Sequence, residues 1–169
     1  GTHLHDVTGL CRAVAERMRL APEDTGPLLQ AASLHDIGKT AIPDSILDKP
    51  GPLNAEEWEF MRTHTAIGER ILCAAPALTE AARLVRSSHE RWDGSGYPDR
   101  LAGERIPLGA RIIAVCDAYD AMVSKRSYRS RMSVEVALEE LRRCAGSQFD
   151  PQVVDAFGAV AAEDTLAER

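Results

Sequence analysis

Apolar residues in this chain recur three and four positions apart and almost nowhere alternate. That spacing collects them on one face of a helix, so an all-α fold is expected, a helical bundle of about seven to eight helices. One pattern covers Leu4 to Met18, and a second runs from Pro27 to about His35, with Pro27 near its first turn. The stretch "GKTAIPDSILDKPGPLN" that follows has no period and carries three prolines. Asn54 opens the next helix with Glu57 at capping-box spacing; this helix carries Trp58, Met61, Ile67 and Leu72 and stops near Pro76. Further helices are expected from Leu78 to about Trp92 and from Pro107 through "ARIIAVCDAYDAM". Ser133 caps "VEVALEELRRCA", and Asp150 followed by Pro151 opens the last helix. The polar tail after Ala162 should fray.

A length of 169 residues suits one domain, residues 1–169. Helical patterning begins almost at residue 1, so the chain reads as part of a longer one. Nothing resembles a signal peptide or a membrane span. Cys11, Cys73, Cys116 and Cys144 stand singly with no Cys-x-x-Cys, which reads as reduced core thiols in a cytoplasmic protein. A net charge of −6 argues against a general surface for nucleic-acid polymers. A small anionic substrate would need local positive charge, from metals or clustered arginines.

The chain has five histidines, His3, His5, His35, His64 and His89. Taken singly, such residues are more often structural than ligating. Here His35 and Asp36 end an apolar helix face, where a charged pair is costly to bury alone. His64 falls on a face expected to turn inward, and His89 lies one turn after Val85. Asp117 interrupts an apolar helix, with Asp120 on the same face. Imidazole with carboxylate and without thiolate suits iron, manganese or zinc. A carboxylate such as Asp36 can bridge two ions, and ions about 3.5–4 Å apart can generate hydroxide for in-line attack on phosphorus. The alternative is a set of buried polar residues satisfied by helix caps. "KRSYRS", with Arg126 and Arg129, is the best anion site, or else a solvated helix end. "SSHERWDGSGYP" reads as a stiff loop beside His89, where Gly94 and Gly96 allow backbone angles closed to other residues and Pro98 restricts Tyr97.

Three ordered segments now carry a resemblance: "LHDIGKTAIPDSILDKPGPL", "HERWDGSGYPDRLAGERIPLGARIIAVCDAYDAM" and "GSQFDP". Each motif is weak alone, but the series, spread over almost the whole chain, resembles the HD-GYP family of the HD superfamily of metal-dependent phosphohydrolases. The resemblance implies an HD-domain helical bundle that hydrolyses cyclic di-GMP to linear pGpG or GMP. It implies two divalent metal ions, iron or manganese, with zinc as the third option. By motif position the ligands are His3, His35, Asp36, His64, His89 and Asp117, with Asp36 bridging and His3 rather than His5 in the first helix. A glutamate that would bring a third metal belongs before residue 1. Asp36 and Lys39 take catalytic positions, the lysine toward the phosphate or the attacking hydroxide. Arg126 and Arg129 match residues that hold substrate phosphates, and Tyr97 would stack on a guanine or join a docking surface. Implied partners are cyclic di-GMP, a signalling protein at the GYP loop, and a second copy in a homodimer. Ser88 departs from the pattern: the family usually has His-His-Glu where this chain has Ser-His-Glu. The second metal then keeps Asp36, His64 and His89. Two alternatives follow, a signalling module that binds nucleotide or a partner without turnover, and an HD phosphohydrolase for another nucleotide.

Overall fold

Local capping chemistry sets most helix starts. A computed structural model of the chain describes residues 6–124 and 132–167, with side chains to residue 163. Helix α1 (Val7–Arg17) begins where Asp6 accepts the Gly9 N–H. Helix α2 (Pro22–Leu34) is followed by a 3-10 turn at Ile37–Ala41 and the short α3 (Asp44–Leu47). Helix α4 (Ala55–Arg62) opens on the expected capping box of Asn54 and Glu57. Helices α5 (His64–Leu72) and α6 (Thr79–Ser87) lead to α7 (Leu108–Val123). Helix α8 (Val134–Arg143) is capped by Ser133, and α9 (Pro151–Ala167) by Asp150, which accepts the Gln152 N–H. Eight of these helices have eight residues or more, and no strand occurs among the described residues.

Four boundaries differ from expectation. α2 starts at Pro22, with Glu23 and Asp24 in its first turn, and Pro27 lies inside the helix. The loss of one ladder bond there is offset by packing against α1 and α6. The single helix expected from Asn54 to Pro76 breaks at Thr63. Thr63, His64 and Thr65 each bond back to a carbonyl three residues earlier, Phe60, Met61 and Arg62 in turn. Such back-bonding competes with the helix ladder and turns the chain. α6 ends at Ser87 rather than Trp92, and α9 continues to Ala167 beyond the expected fraying.

One apolar core joins α1, α2, α6, α7, α8 and α9, with Leu72 reaching in from α5. α7 runs through it, burying Ile112, Ile113, Val115 and Cys116. α4 buries no residue; Trp58 and Phe60 flank the half-buried Glu57 and Met61 and stay exposed. Cys11 and Cys116 are core thiols as expected, whereas Cys73 ends α5 and is exposed. The "GSQFDP" segment closes the structure. Its Asp150 is buried and accepts from Arg111 Nη1 at 2.7 Å. Arg111 also donates to the Ile106 carbonyl and lies over the Trp92 ring. The carbonyls of Ser147 and Gln148 take the N–H groups of Asp93 and Trp92. Among the described residues, no helix is long and apolar enough to cross a membrane.

Candidate metal centre

The site forms where the ends of helices meet. His35 and Asp36 follow α2, His64 starts α5, His89 follows α6, and Asp117 lies within α7. Two glycines let these elements close up. A Cβ on Gly38 would overlap the His64 carbonyl and come 2.7 Å from the Gly68 nitrogen. One on Gly68 would come 2.9 Å from Val85. The HD segment therefore meets α5 backbone to backbone. His35 Nδ1 donates to the Ala32 carbonyl at 2.7 Å, leaving Nε2 3.6 Å from Asp117 and 3.7 Å from Asp36. Lys39 Nζ donates to the other Asp36 oxygen at 2.8 Å. His64 Nδ1 donates to the Met61 carbonyl at 2.7 Å, so its Nε2 carries the lone pair. The Nε2 atoms of His64 and His89 are both buried without a hydrogen-bond partner, and the two rings meet edge-on with centroids 5.0 Å apart.

Electrostatics divide the cluster. Burial, reinforced by the neighbouring His64, pushes the His89 imidazole down to about 4. Burial likewise lowers His64. Burial also pulls on His35, but its bonds to Asp117 and Ala32 and the two nearby carboxylates outweigh it, and His35 is raised. Asp117 is lowered, because His35 overcomes the effect of burial. Among the described residues, no three His, Cys, Asp or Glu side chains close a metal cage by themselves. The donor set still fits a divalent ion. Two buried ring nitrogens lack any hydrogen-bond partner, carboxylates stand nearby, and among the described residues no thiolate intrudes, which suits iron, manganese or zinc.

The loop after His89 is anchored from two sides. Glu90 is buried and accepts the N–H groups of Asp99 and Leu101 at 2.7 and 3.1 Å. Arg86 grips Asp99 through Nε and Nη2 and reaches Glu69 on α5 through Nη1. Gly94 has a φ of +81°, as its expected role requires. Gly96 is needed for a different reason: a Cβ there would strike the backbone of residues 89–91. Tyr97 is thereby laid on His89, ring centroids 5.2 Å apart and planes 7° from parallel, and burial raises its hydroxyl to about 12. Arg62 lies over the Tyr97 ring, its guanidinium carbon 5.6 Å from the centroid.

The HD domain family model matches residues 2–153 of the chain. The chain belongs to the HD-domain family. Its motifs and relatives make it an HD-GYP domain. It is 45 % identical over 160 residues to the cyclic di-GMP phosphodiesterase of Thermotoga maritima, an alignment covering 92 % of this chain and 44 % of that protein. It is 41 % identical over 157 residues to 3'3'-cGAMP-specific phosphodiesterase 2 of Vibrio cholerae, covering 92 % and 30 %. The chain thus spans less than half the length of these curated relatives. A crystal structure of a cyclic GMP-AMP-specific phosphodiesterase from V. cholerae matches with a TM-score of 0.74 at 19 % identity, over 95 % of this chain and 44 % of that one, a likeness of fold. HD-domain phosphohydrolases are metal-dependent.

Of the HD-GYP positions expected from the motifs, His35, Asp36, Lys39, His64, His89 and Asp117 come together, each histidine sensing charges of others in the group. His3, Arg126 and Arg129 lie outside the described residues. Asp120 caps the end of α7 instead, accepting from Ser124. Ser88 is buried and donates its hydroxyl to the Val85 carbonyl at 2.9 Å. Sequence reasoning missed Gly38, Gly68, Arg62, Arg86 and Glu90. The signal for Glu90 was available: an acid directly after the ligand-type histidine and before a run of turns.

Proposed function

We propose that this HD-GYP domain hydrolyses cyclic di-GMP to linear pGpG or GMP at a centre of two divalent ions, iron or manganese, with zinc as the third option. The observation that carries the reading is the pair of buried, unpartnered Nε2 atoms on His64 and His89 beside Asp36 and Asp117. The name of the Thermotoga relative supports the substrate. His3, His35, Asp36 and Asp117 would hold one ion, and Asp36, His64 and His89 the other. Bound there, such ions supply Lewis acidity and lower the pKa of an attacking water. The chain's own part is to keep His64 and His89 neutral, and so able to ligate, down to mildly acidic pH. Lys39, held by Asp36, presents a cation to a phosphate oxygen. Arg126 and Arg129 would take the remaining phosphate charge. In the longer protein the GYP loop would also offer a surface to a signalling partner, and the protein would pair with a second copy.

A second reading, a module that binds nucleotide without turnover, is favoured by Ser88, whose hydroxyl is spent on Val85. A third, hydrolysis of another cyclic dinucleotide, is favoured by the name of the Vibrio relative. Metal analysis and turnover of cyclic di-GMP and cyclic GMP-AMP by protein loaded with Mn²⁺ or Fe²⁺ separate the three. The first predicts bound metal lost on Asp36→Ala, and pGpG or GMP from cyclic di-GMP. Binding without product would favour the second.

A further inference from the structure

We infer that Arg62 is the residue on which a purine base of the substrate stacks, and that Tyr97 is the layer beneath it. The inference rests on the reading of a purine dinucleotide as substrate. Three planar groups lie in contact beside the candidate metal centre. The His89 imidazole is innermost, with its Nε2 buried; the Tyr97 ring lies nearly parallel on it; the Arg62 guanidinium lies over Tyr97. His89 stacks on the tyrosine, and the Arg62 guanidinium carbon also lies over that ring.

Arg62 itself is exposed. Among the described residues no carboxylate pairs with it, in a chain whose net charge is −6. A planar, delocalised, unpaired cation with an open face is a stacking platform for a nucleobase. Its position is fixed from below as well. It directly precedes Thr63 and His64, where the chain turns into the site, and Met61 just before it holds His64 by a carbonyl. The loop that carries Tyr97 is held by Glu90 and Arg86. The layer is thus tied at both ends to the two unpartnered histidines.

A platform for bases differs from a phosphate contact in what it distinguishes. The test compares wild type, Arg62→Ala and Arg62→Lys, all loaded with Mn²⁺ and checked for equal metal content. Calorimetric titration is run with cyclic di-GMP, GMP and inorganic phosphate. Arg62→Ala should weaken cyclic di-GMP and GMP by about tenfold while leaving phosphate affinity unchanged. Arg62→Lys keeps the charge and loses the plane, and should recover little of the loss. Equal weakening of all three ligands would make Arg62 a phosphate contact, and full recovery by lysine would make it a simple charge; either overturns the inference. Unchanged nucleotide affinity overturns it too, as does loss of metal in Arg62→Ala, which would make Arg62 a positioning residue for His89. Turnover by the wild type is scored separately. Wild type that binds GMP through Arg62 but hydrolyses nothing would end the phosphodiesterase reading and leave this one standing. Wild type that binds phosphate but no purine nucleotide ends both.

Discussion

Around His35, polar groups satisfy one another: the imidazole bonds to Ala32 and faces Asp117 and Asp36, and Asp36 holds Lys39. Around His64 and His89, two buried Nε2 atoms have no hydrogen-bond partner, and the two rings meet edge-on. An unsatisfied buried polar atom costs about 1–3 kcal/mol. The carboxylate half can therefore stand on its own, while the histidine half is at a loss until an electrophile arrives. Metal binding and folding should be coupled mainly through the histidine half.

The severest way to break the contrast is to part the two halves. Gly38 lies at their junction, against His64 and Gly68. Gly38→Ala should cost about 3 kcal/mol or more, since backbone and not a movable side chain blocks the new methyl group, and metal retention should fall in step. A thermal melt and metal content both equal to wild type would show that the halves do not depend on this contact.

Acid should sharpen the contrast in protein stripped of metal by a chelator. His89 titrates at about 4 when folded and at 6.5 ordinarily, so between those values the unfolded chain binds more protons. Its contribution is lost as pH falls through that window, on the order of 3 kcal/mol in all. His35 is raised, so the folded chain binds the proton more tightly. Its contribution is full below the ordinary histidine range and is lost as pH rises through its folded value. Urea unfolding against pH should show His89→Gln flattening the acid limb and His35→Gln flattening the limb near neutrality. Limbs of the same sign for both variants would erase the distinction.

A milder change adds a ligand to the histidine half. Ser88→His should raise metal content and cyclic di-GMP turnover together, if the new ring leaves the Val85 carbonyl and turns into the site. Full, tight occupancy in the wild type, unaltered in the variant, would show that serine costs nothing. The smallest effect belongs to Arg86→Ala. Its carboxylate partners Glu69 and Asp99 are 27 % and 37 % exposed, so screening leaves a loss of about 1 kcal/mol. Amide exchange near Tyr97 should quicken while that of α2 does not; equal quickening in both would mean that Arg86 supports the bundle and not the loop.

Most of the bundle was legible because helix periodicity and caps are local: Asn54, Ser133 and Asp150 act as their side chains allow. The ligand-type residues were legible because polar groups on apolar faces stand out, as His35, His64 and Asp117 do. The break at Thr63 was hidden, since three consecutive back-bonds look like ordinary helix residues in a one-dimensional pattern. Gly38 and Gly68 were hidden for another reason. Their role lies in the approach of two segments far apart along the chain, and no local rule encodes that. Arg62 drew no notice, because an arginine at a helix end is ordinary until the ring beneath it is known.

Asp150 has a bearing on how the protein is made. Ribosomal synthesis delivers His35 through Asp117 well before the segment that secures the loop between them. Until residues 147–150 emerge, Trp92 and Asp93 lack the carbonyls that receive their N–H groups, and Arg111 lacks its buried counter-ion. A nascent chain can thus hold most of the ligand-type residues in unfinished form, with the GYP loop unpinned at its base. Completion of the site is deferred to the arrival of residues 147–150, just ahead of α9.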